Sequence, residues 1–183
     1  PVHVVVEEDR LGLVLAGEVL KTYTRLTPVE EAPLITRKET IKLDVAPVTP
    51  SDVDRAKTIS AKVGTPDSPK FIDTVFAFKA LDAAARQKQP YDTDIQVIAL
   101  GKQVAWVSLP GEVFVELGQA IKQASPFPVT IVVELAHGPT TYIPNRAAFP
   151  QGNYEVVSSR CDIGSGERLV ETAVKLLKEA YSE

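Results

Sequence analysis

Several long segments of the chain carry hydrophobic residues at helical spacing. Between positions 10 and 25 the apolar residues recur every three or four positions, which predicts an amphipathic helix. Two further segments open with a residue able to cap a helix followed by a proline, Thr49-Pro50 and Ser68-Pro69. Together these signals predict helices over 10–25, 50–64, 69–87, 112–124 and 165–181.

Apolar stripes within the predicted helices indicate which faces are buried. In the helix at 69–87 we expect the buried face to carry large side chains: Phe71, Val75, Phe78, Leu81 and Ala85. In the closing helix the predicted stripe consists of Val170, Val174, Leu177 and Tyr181.

Short apolar or alternating runs predict strands at 2–6, 34–48, 95–100, 104–109 and 130–136. Gly101-Lys102 joins two of these strands and predicts a tight hairpin, because glycine readily adopts the positive φ that such a turn needs. The last run is rich in β-branched residues, so we expect a strand that is buried on both faces.

The order of these elements predicts the α/β class, with helices packed on a mixed sheet. Alongside the hairpin, segments 104–109, 112–124 and 130–136 form a strand-helix-strand unit whose crossover is long enough to make its strands parallel. The sequence contains no repeat or clear boundary, so we expect one α/β unit spanning residues 1–183.

Composition and charge exclude several classes of function. A hydrophobic content of 44% favours a packed core over disorder. The net charge of −4 and the lack of a basic run argue against nucleic-acid binding, and no apolar run has the length of a transmembrane helix. The lone Cys161 cannot form an internal disulfide, and we interpret it as an inert small residue. Because the chain begins at Pro1 and lacks methionine, we expect it to have been processed or cut from a longer protein.

The candidate site follows from the strand-helix-strand unit. Parallel neighbouring strands end at the same edge of a sheet, where α/β proteins bind ligands. Glu112 follows the first of these strands, and the loop with His137 and Tyr142 follows the second. We therefore expect the Glu112 carboxylate and the Tyr142 phenol to lie close together.

Each of these residues also has an ordinary structural interpretation. Glu112, in the first turn of a helix, could merely complement the helix dipole, and Tyr142 could be a packing residue with its hydroxyl at the surface. His137 is more typical of a hydrogen-bonded loop histidine than of a metal ligand. His3 lies in a predicted strand, where a structural role is expected.

Three segments resemble the neutral/alkaline ceramidases and related bacterial proteins. Residues 107–114, VSLPGEVF, with Gly118 a turn later, resemble the LPGEFT…G segment of that family. The strand at 130–136, the block YIPNR at 142–146 and the block NYE at 153–155 are similar to the segments that follow in the same order. No single motif decides the resemblance, which depends on their order and spacing.

The resemblance implies the C-terminal part of a zinc-dependent catalytic domain that hydrolyses the amide bond of ceramide or a related N-acyl compound. It implies Glu112 and Tyr142 as zinc ligands and Tyr154 as a catalytic residue that helps to hold the reacting amide oxygen. Zinc activates water and polarises a carbonyl, as hydrolysis of an unactivated amide requires. Arg146 matches a frequent basic residue of the family, without an assigned role, and the substrate-binding residues are unknown.

The chain also departs from the family pattern. Two histidine ligands are expected from an N-terminal part of the domain that is missing here, and neither His3 nor His137 matches their motifs. The resemblance implies a lipid-like N-acyl substrate and an extracytoplasmic location, either secreted or periplasmic. The alternative is a non-catalytic α/β module that binds a ligand or partner through a degenerate site.

Overall fold

The computed structural model describes residues 2–29, 31–137 and 141–183, with side chains from residue 8 onward. It divides into two compact units, Pro1–Glu31 and Ala32–Glu183. Within the described ranges, no helix combines the length and the hydrophobicity that a membrane crossing requires.

The first unit is built on one helix, α1, at Val2–Tyr23. The helix predicted at 10–25 forms most of α1, whereas the strand predicted at 2–6 is wrong, since those residues are the first turns of α1. β-branched residues favour a strand only where neighbouring strands pair with them, and here the run continues directly into a helical pattern. Every described side chain of α1 is exposed, including its predicted apolar stripe.

The second unit contains a mixed four-stranded sheet, which confirms the predicted α/β class. Its described strands are β1 (Leu34–Leu43), β2 (Tyr91–Leu100), β3 (Val104–Ser108), β4 (Glu112–Val113), β5 (Val129–Val133) and β6 (Tyr142–Ile143). The sheet order is β1-β2-β3-β5, and β4 and β6 form a separate two-stranded ladder. The β2–β3 hairpin turns at Gly101, whose φ is 49°, and β3 pairs with β5 in parallel, as predicted.

The described helices of this unit are α2 (Pro50–Ser60), α3 (Phe71–Ala85), α4 (Val115–Ala124), α5 (Tyr154–Ser158) and α6 (Ser165–Tyr181), with a 3₁₀ helix at Arg146–Gln151. Thr49 caps α2 in a full capping box with Asp52, as its sequence predicts. The cap predicted at Ser68 is wrong: α3 begins after Lys70 without a side-chain cap, and the Ser68 hydroxyl accepts a hydrogen bond from the Gly64 amide at 3.3 Å instead.

The core lies between one face of the sheet and α6, whose predicted bounds are confirmed. The stripe predicted for α6 is rotated, because Leu177 is buried while Val170, Val174 and Tyr181 are only half-buried. β5 is exposed at alternate positions, contrary to the prediction of burial on both faces. It is an edge strand of the described sheet, with β3 as its sheet partner.

α3 buries a different face from the one that its large residues predict. Its buried residues are alanines, and Ala77 and Ala80 pack against Ala56 of α2. Phe71 and Phe78 are instead 70% and 53% exposed. Small side chains allow two helices to approach closely, so the alanine face forms the contact and the phenylalanines point away from it.

Candidate functional site

The site begins where the chain leaves β3. After Leu109-Pro110 it turns at Gly111, whose φ is 65°. A Cβ at this position would overlap the carbonyl oxygen of Thr141, so both the conformation and the available space require glycine. The close approach brings the segment after β3 alongside the segment that precedes Tyr142.

Glu112 and Tyr142 are direct partners in the parallel ladder of β4 and β6. The Glu112 amide donates to the Thr141 carbonyl at 2.8 Å, and the Phe114 amide donates to the Ile143 carbonyl at 3.2 Å. The helix predicted from residue 112 is wrong at its start, because α4 begins at Val115. Glu112 therefore does not lie in a first helical turn, and Glu116 takes the dipole-complementing position instead.

Hydrogen bonding to the Glu112 carboxylate, followed by partial burial and the negative charge of Glu112, raises the pKa of the Tyr142 phenol. The carboxylate favours the protonated phenol, because ionisation would place two negative charges side by side. Chain order alone predicts this proximity, and the structure brings the two oxygens together. Metal binding by the pair stays a prediction.

Tyr154, the third residue implied by the resemblance, lies beside Tyr142 at the start of α5. The two rings meet edge to face, with centroids 5.7 Å apart and planes at 73°. The Tyr154 ring also stacks on Phe71 of α3, at 5.9 Å between centroids. This aromatic row fixes the Tyr154 ring next to the ladder.

A cleft of about 310 Å³ opens beside the ladder. Its lining comes from α3, from the ladder and from the segment that ends α5: Val75, Phe78, Lys79, Glu112, Thr141, Tyr142, Ser158 and Arg160. Sequence reasoning missed Lys79, Ser158 and Arg160. The signal for Lys79 was present, because it is the one basic residue of the α3 sequence FIDTVFAFKALDAAA.

Two cations face the carboxylate-bearing ladder in this cleft. The Arg160 amide donates to the Thr141 hydroxyl at 2.9 Å, and its guanidinium lies 3.7 Å from Asp82. The Lys79 ammonium donates to the Val156 carbonyl at 3.4 Å, and burial lowers the pKa of Lys79. The cleft therefore combines a carboxylate and a phenol with two basic groups.

His137, another candidate from the sequence, is not part of the lining of this cleft. His137 is exposed, with a φ of 57°. The pKa of Asp94 is lowered by hydrogen bonds from Lys38 and Thr40, and also by the charge of nearby His137. The side chain of His3 lies outside the described part, although its backbone is helical rather than extended as predicted.

Arg146 and Cys161 have structural surroundings. The Arg146 amide donates to Glu167 at 2.8 Å, and its guanidinium lies so close to Gly164 that a Cβ there would meet it at 2.6 Å. Cys161 is buried, and burial raises the pKa of its thiol to about 11. The thiol is therefore protonated at neutral pH, which agrees with the interpretation of an inert residue.

A zinc site in a protein takes four ligands from nitrogen, sulfur and oxygen donors. Within the described residues, no group of three or more His, Cys, Asp and Glu could hold a metal ion. The neighbouring oxygens of Glu112 and Tyr142 fit as part of such a site, and they account for two of the four ligands that the resemblance implies.

Comparison with solved structures finds neutral ceramidase. The crystal structure of neutral ceramidase from Pseudomonas aeruginosa matches with a TM-score of 0.53 and 17% identity, over 82% of this chain and 29% of that chain. A ceramidase complexed with C2 matches with a TM-score of 0.47 and 12% identity, over 80% of this chain and 30% of that chain. No family model and no curated protein matches the sequence.

The resemblance to neutral ceramidases is thus confirmed at the level of the fold. The chain has the fold of part of a neutral ceramidase and spans about 29% of its length. This coverage also confirms the prediction that the fold belongs to a larger domain.

Proposed function

We propose that this chain is the part of a zinc-dependent amidohydrolase that contributes Glu112 and Tyr142 as metal ligands. The intact protein hydrolyses the amide bond of ceramide or of a related N-acyl compound. The observation that carries the proposal is the pairing of the Glu112 carboxylate with the Tyr142 phenol in the β4–β6 ladder. The fold shared with neutral ceramidase supports it.

The ladder suits a ligand pair because its backbone fixes both side chains. Hydrogen bonds on either side of the pair hold β4 against β6, and the Gly111 turn leaves no space between the segments. A preorganised pair loses little conformational freedom when it binds a cation. Zinc bound there would polarise the amide carbonyl and activate water.

Tyr154 is proposed to donate a hydrogen bond to the oxygen of the reacting amide as negative charge develops on it. Its ring contacts both Tyr142 and Phe71, which keeps it beside the proposed ligand pair. A hydroxyl fixed in advance stabilises the transition state without reorganisation during the reaction.

The apolar side of the cleft fits an acyl chain. Val75 and Phe78 line it next to the polar groups, and Phe78 is 53% exposed. An N-acyl substrate would bury its hydrocarbon against these residues, with its amide near Glu112 and Tyr142. The two histidine ligands implied by the resemblance would come from an N-terminal part of the same domain, and the proposed location is extracytoplasmic.

The test compares zinc content and hydrolysis in the intact protein. Elemental analysis should find zinc in the wild type and lose it in Glu112→Ala, whereas the matched control Glu116→Ala on the first turn of α4 should retain it. The wild type should release free amine from an N-acyl sphingosine. Unchanged zinc in Glu112→Ala would contradict the ligand assignment. A zinc-free, inactive intact protein would favour the alternative, a non-catalytic ligand- or partner-binding module.

A further inference from the structure

Lys79 is a half-buried cation without an acidic partner. Its ammonium donates to the Val156 carbonyl at 3.4 Å, and no carboxylate pairs with it among the residues that the structure describes. Other lysines of this unit lie close to a carboxylate: Lys38 lies 2.6 Å from Asp94, and Lys175 lies 2.7 Å from Glu39. Removing a charge from water without a counter-ion is costly, so the position of Lys79 requires an explanation.

Arg160 brings a second positive charge to the same cleft. Its guanidinium is 46% exposed and makes a distant pair with Asp82 at 3.7 Å, which leaves most of its donors available. Its backbone is fixed, because the Arg160 amide bonds to Thr141 and the Arg160 carbonyl accepts from Ala46 at 2.9 Å. Lys79 and Arg160 thus bring two positive charges to a cleft whose lining contains one carboxylate, that of Glu112.

The wall beside these cations is hydrocarbon. Val75 and Phe78 precede Lys79 on α3 by four residues and one residue, and all three line the cleft. A ligand that complements both the two cations and the apolar wall has an anionic head and a hydrocarbon chain.

We propose that Lys79 and Arg160 form a carboxylate-binding subsite that takes the head group of a fatty acid, with its chain lying against Val75 and Phe78. The subsite adds a position for the acid product to the proposed function, and its biological role rests on that function. Hydrolysis of an N-acyl amide breaks the C–N bond, adds the oxygen of water to the acyl carbon and releases a carboxylate and an amine. The carboxylate formed at Glu112 and Tyr142 would then have a cationic position in the same cleft.

The test is a titration of the 183-residue chain with sodium octanoate in the presence of a chelator, followed by ¹H–¹⁵N NMR. Octanoate should shift the amide signals around residues 75–79 and 158–160. Lys79→Met, which keeps most of the length of the side chain but removes its charge, should weaken the affinity about tenfold. Lys79→Arg should retain the affinity within about threefold, because it keeps the cation.

Two controls separate charge from packing. Lys62→Met removes an exposed lysine outside the cleft and should change the affinity less than about twofold, because solvent screens such charges. Octanamide, a neutral probe of equal chain length, should bind about tenfold more weakly than octanoate. Far-UV circular dichroism and the chemical-shift dispersion of the NMR spectra check that each variant is folded. Arg160→Gln provides a second variant, which should also weaken octanoate binding.

Equal affinities of octanoate for the wild type and Lys79→Met would overturn the proposal, as would equal binding of octanamide. Loss of binding in Lys79→Arg as well as Lys79→Met would also overturn it, by assigning the effect to packing. The titration involves neither zinc nor turnover. A failure here therefore leaves the ligand assignment of Glu112 and Tyr142 untouched, and a failure of that assignment leaves octanoate binding measurable.

Discussion

Glu112 and Tyr142 lie opposite each other in a parallel ladder, and hydrogen bonding to the Glu112 carboxylate raises the pKa of the Tyr142 phenol. The ladder is short, so its geometry depends on the residues around it. Gly111 permits the close approach of the backbones, and the Val113 amide donates to the Glu134 carboxylate at 2.7 Å. The segment after β5 thus helps to hold β4 in place.

The first prediction concerns the phenol of Tyr142. Since the hydrogen bond with Glu112 is the main cause of its raised pKa, Glu112→Ala should move that pKa down towards the ordinary tyrosine value of 10.0. NMR of chains labelled with ¹³C at the tyrosine rings measures this titration directly. Glu116→Ala, outside the ladder, should leave the Tyr142 titration unchanged. A Tyr142 titration unaffected by Glu112→Ala would mean that the two groups do not interact in solution.

The second prediction concerns Gly111. Gly111→Ala places a Cβ against the Thr141 carbonyl and adds the cost of a positive φ, so it should lower the free energy of unfolding by roughly 3 kcal/mol. Gly152 is a matched control, because its φ is 62° but nothing lies within 4 Å of an added Cβ. Gly152→Ala should cost about 1 kcal/mol, from the backbone alone. Urea unfolding measures both, and equal losses would contradict the close approach at Gly111.

The third prediction concerns stability at alkaline pH. Burial raises the pKa of Cys161 from 9.0 to about 11, and burial followed by the charge of Asp82 raises that of Tyr91 from 10.0 to about 12. A raised pKa means that the unfolded chain loses its proton first. The stabilisation is complete below the unfolded pKa and is lost as pH rises through the folded one.

The wild type should therefore lose stability from about pH 9, with Tyr91 adding to the loss above about pH 10. In Cys161→Ala the fall between pH 9 and 11 should be shallower, by about 2 kcal/mol at pH 11. Urea unfolding at each pH gives the two curves. Parallel curves for wild type and variant would show that the thiol of Cys161 does not contribute.

The sequence predicted the proximity of Glu112 and Tyr142 better than it predicted the elements around them. Chain order was sufficient for Glu112 and Tyr142, because a parallel strand-helix-strand unit brings both strand ends to one edge. The α3 face was wrong because its choice depends on α2: Ala56 opposes the alanines and leaves Phe71 and Phe78 exposed. Such a preference is a property of two packed helices and cannot be inferred from one helical stripe.

The short β4–β6 ladder was also not predicted from the sequence. A helix beginning at Glu112 was the natural prediction, since a proline and a glycine precede an apolar helical pattern. The structure places β4 there because Gly111 at φ 65° directs the chain along Thr141. Lys79 was missed for a related reason, since its role depends on the cleft that α3 forms with α5 and the ladder.

The fourth prediction distinguishes the proposed roles of Tyr154 and Tyr142 in the intact protein. Tyr154→Phe should lower kcat about 100-fold while KM and zinc content remain unchanged, because it removes one hydrogen bond made in the transition state. Its ring contacts with Phe71 and Tyr142 remain available to phenylalanine. Tyr142→Phe should instead lower the zinc content itself. The proposed roles would be wrong if Tyr154→Phe lost zinc or if Tyr142→Phe retained it in full.

The most direct test of the proposed site is anomalous scattering at the zinc absorption edge, measured on crystals of the intact protein. We expect an anomalous peak in contact with both the Glu112 carboxylate and the Tyr142 phenol oxygen, with its remaining ligands supplied from outside this chain. A zinc peak elsewhere, or no peak in a protein that still cleaves N-acyl sphingosines, would contradict the assignment.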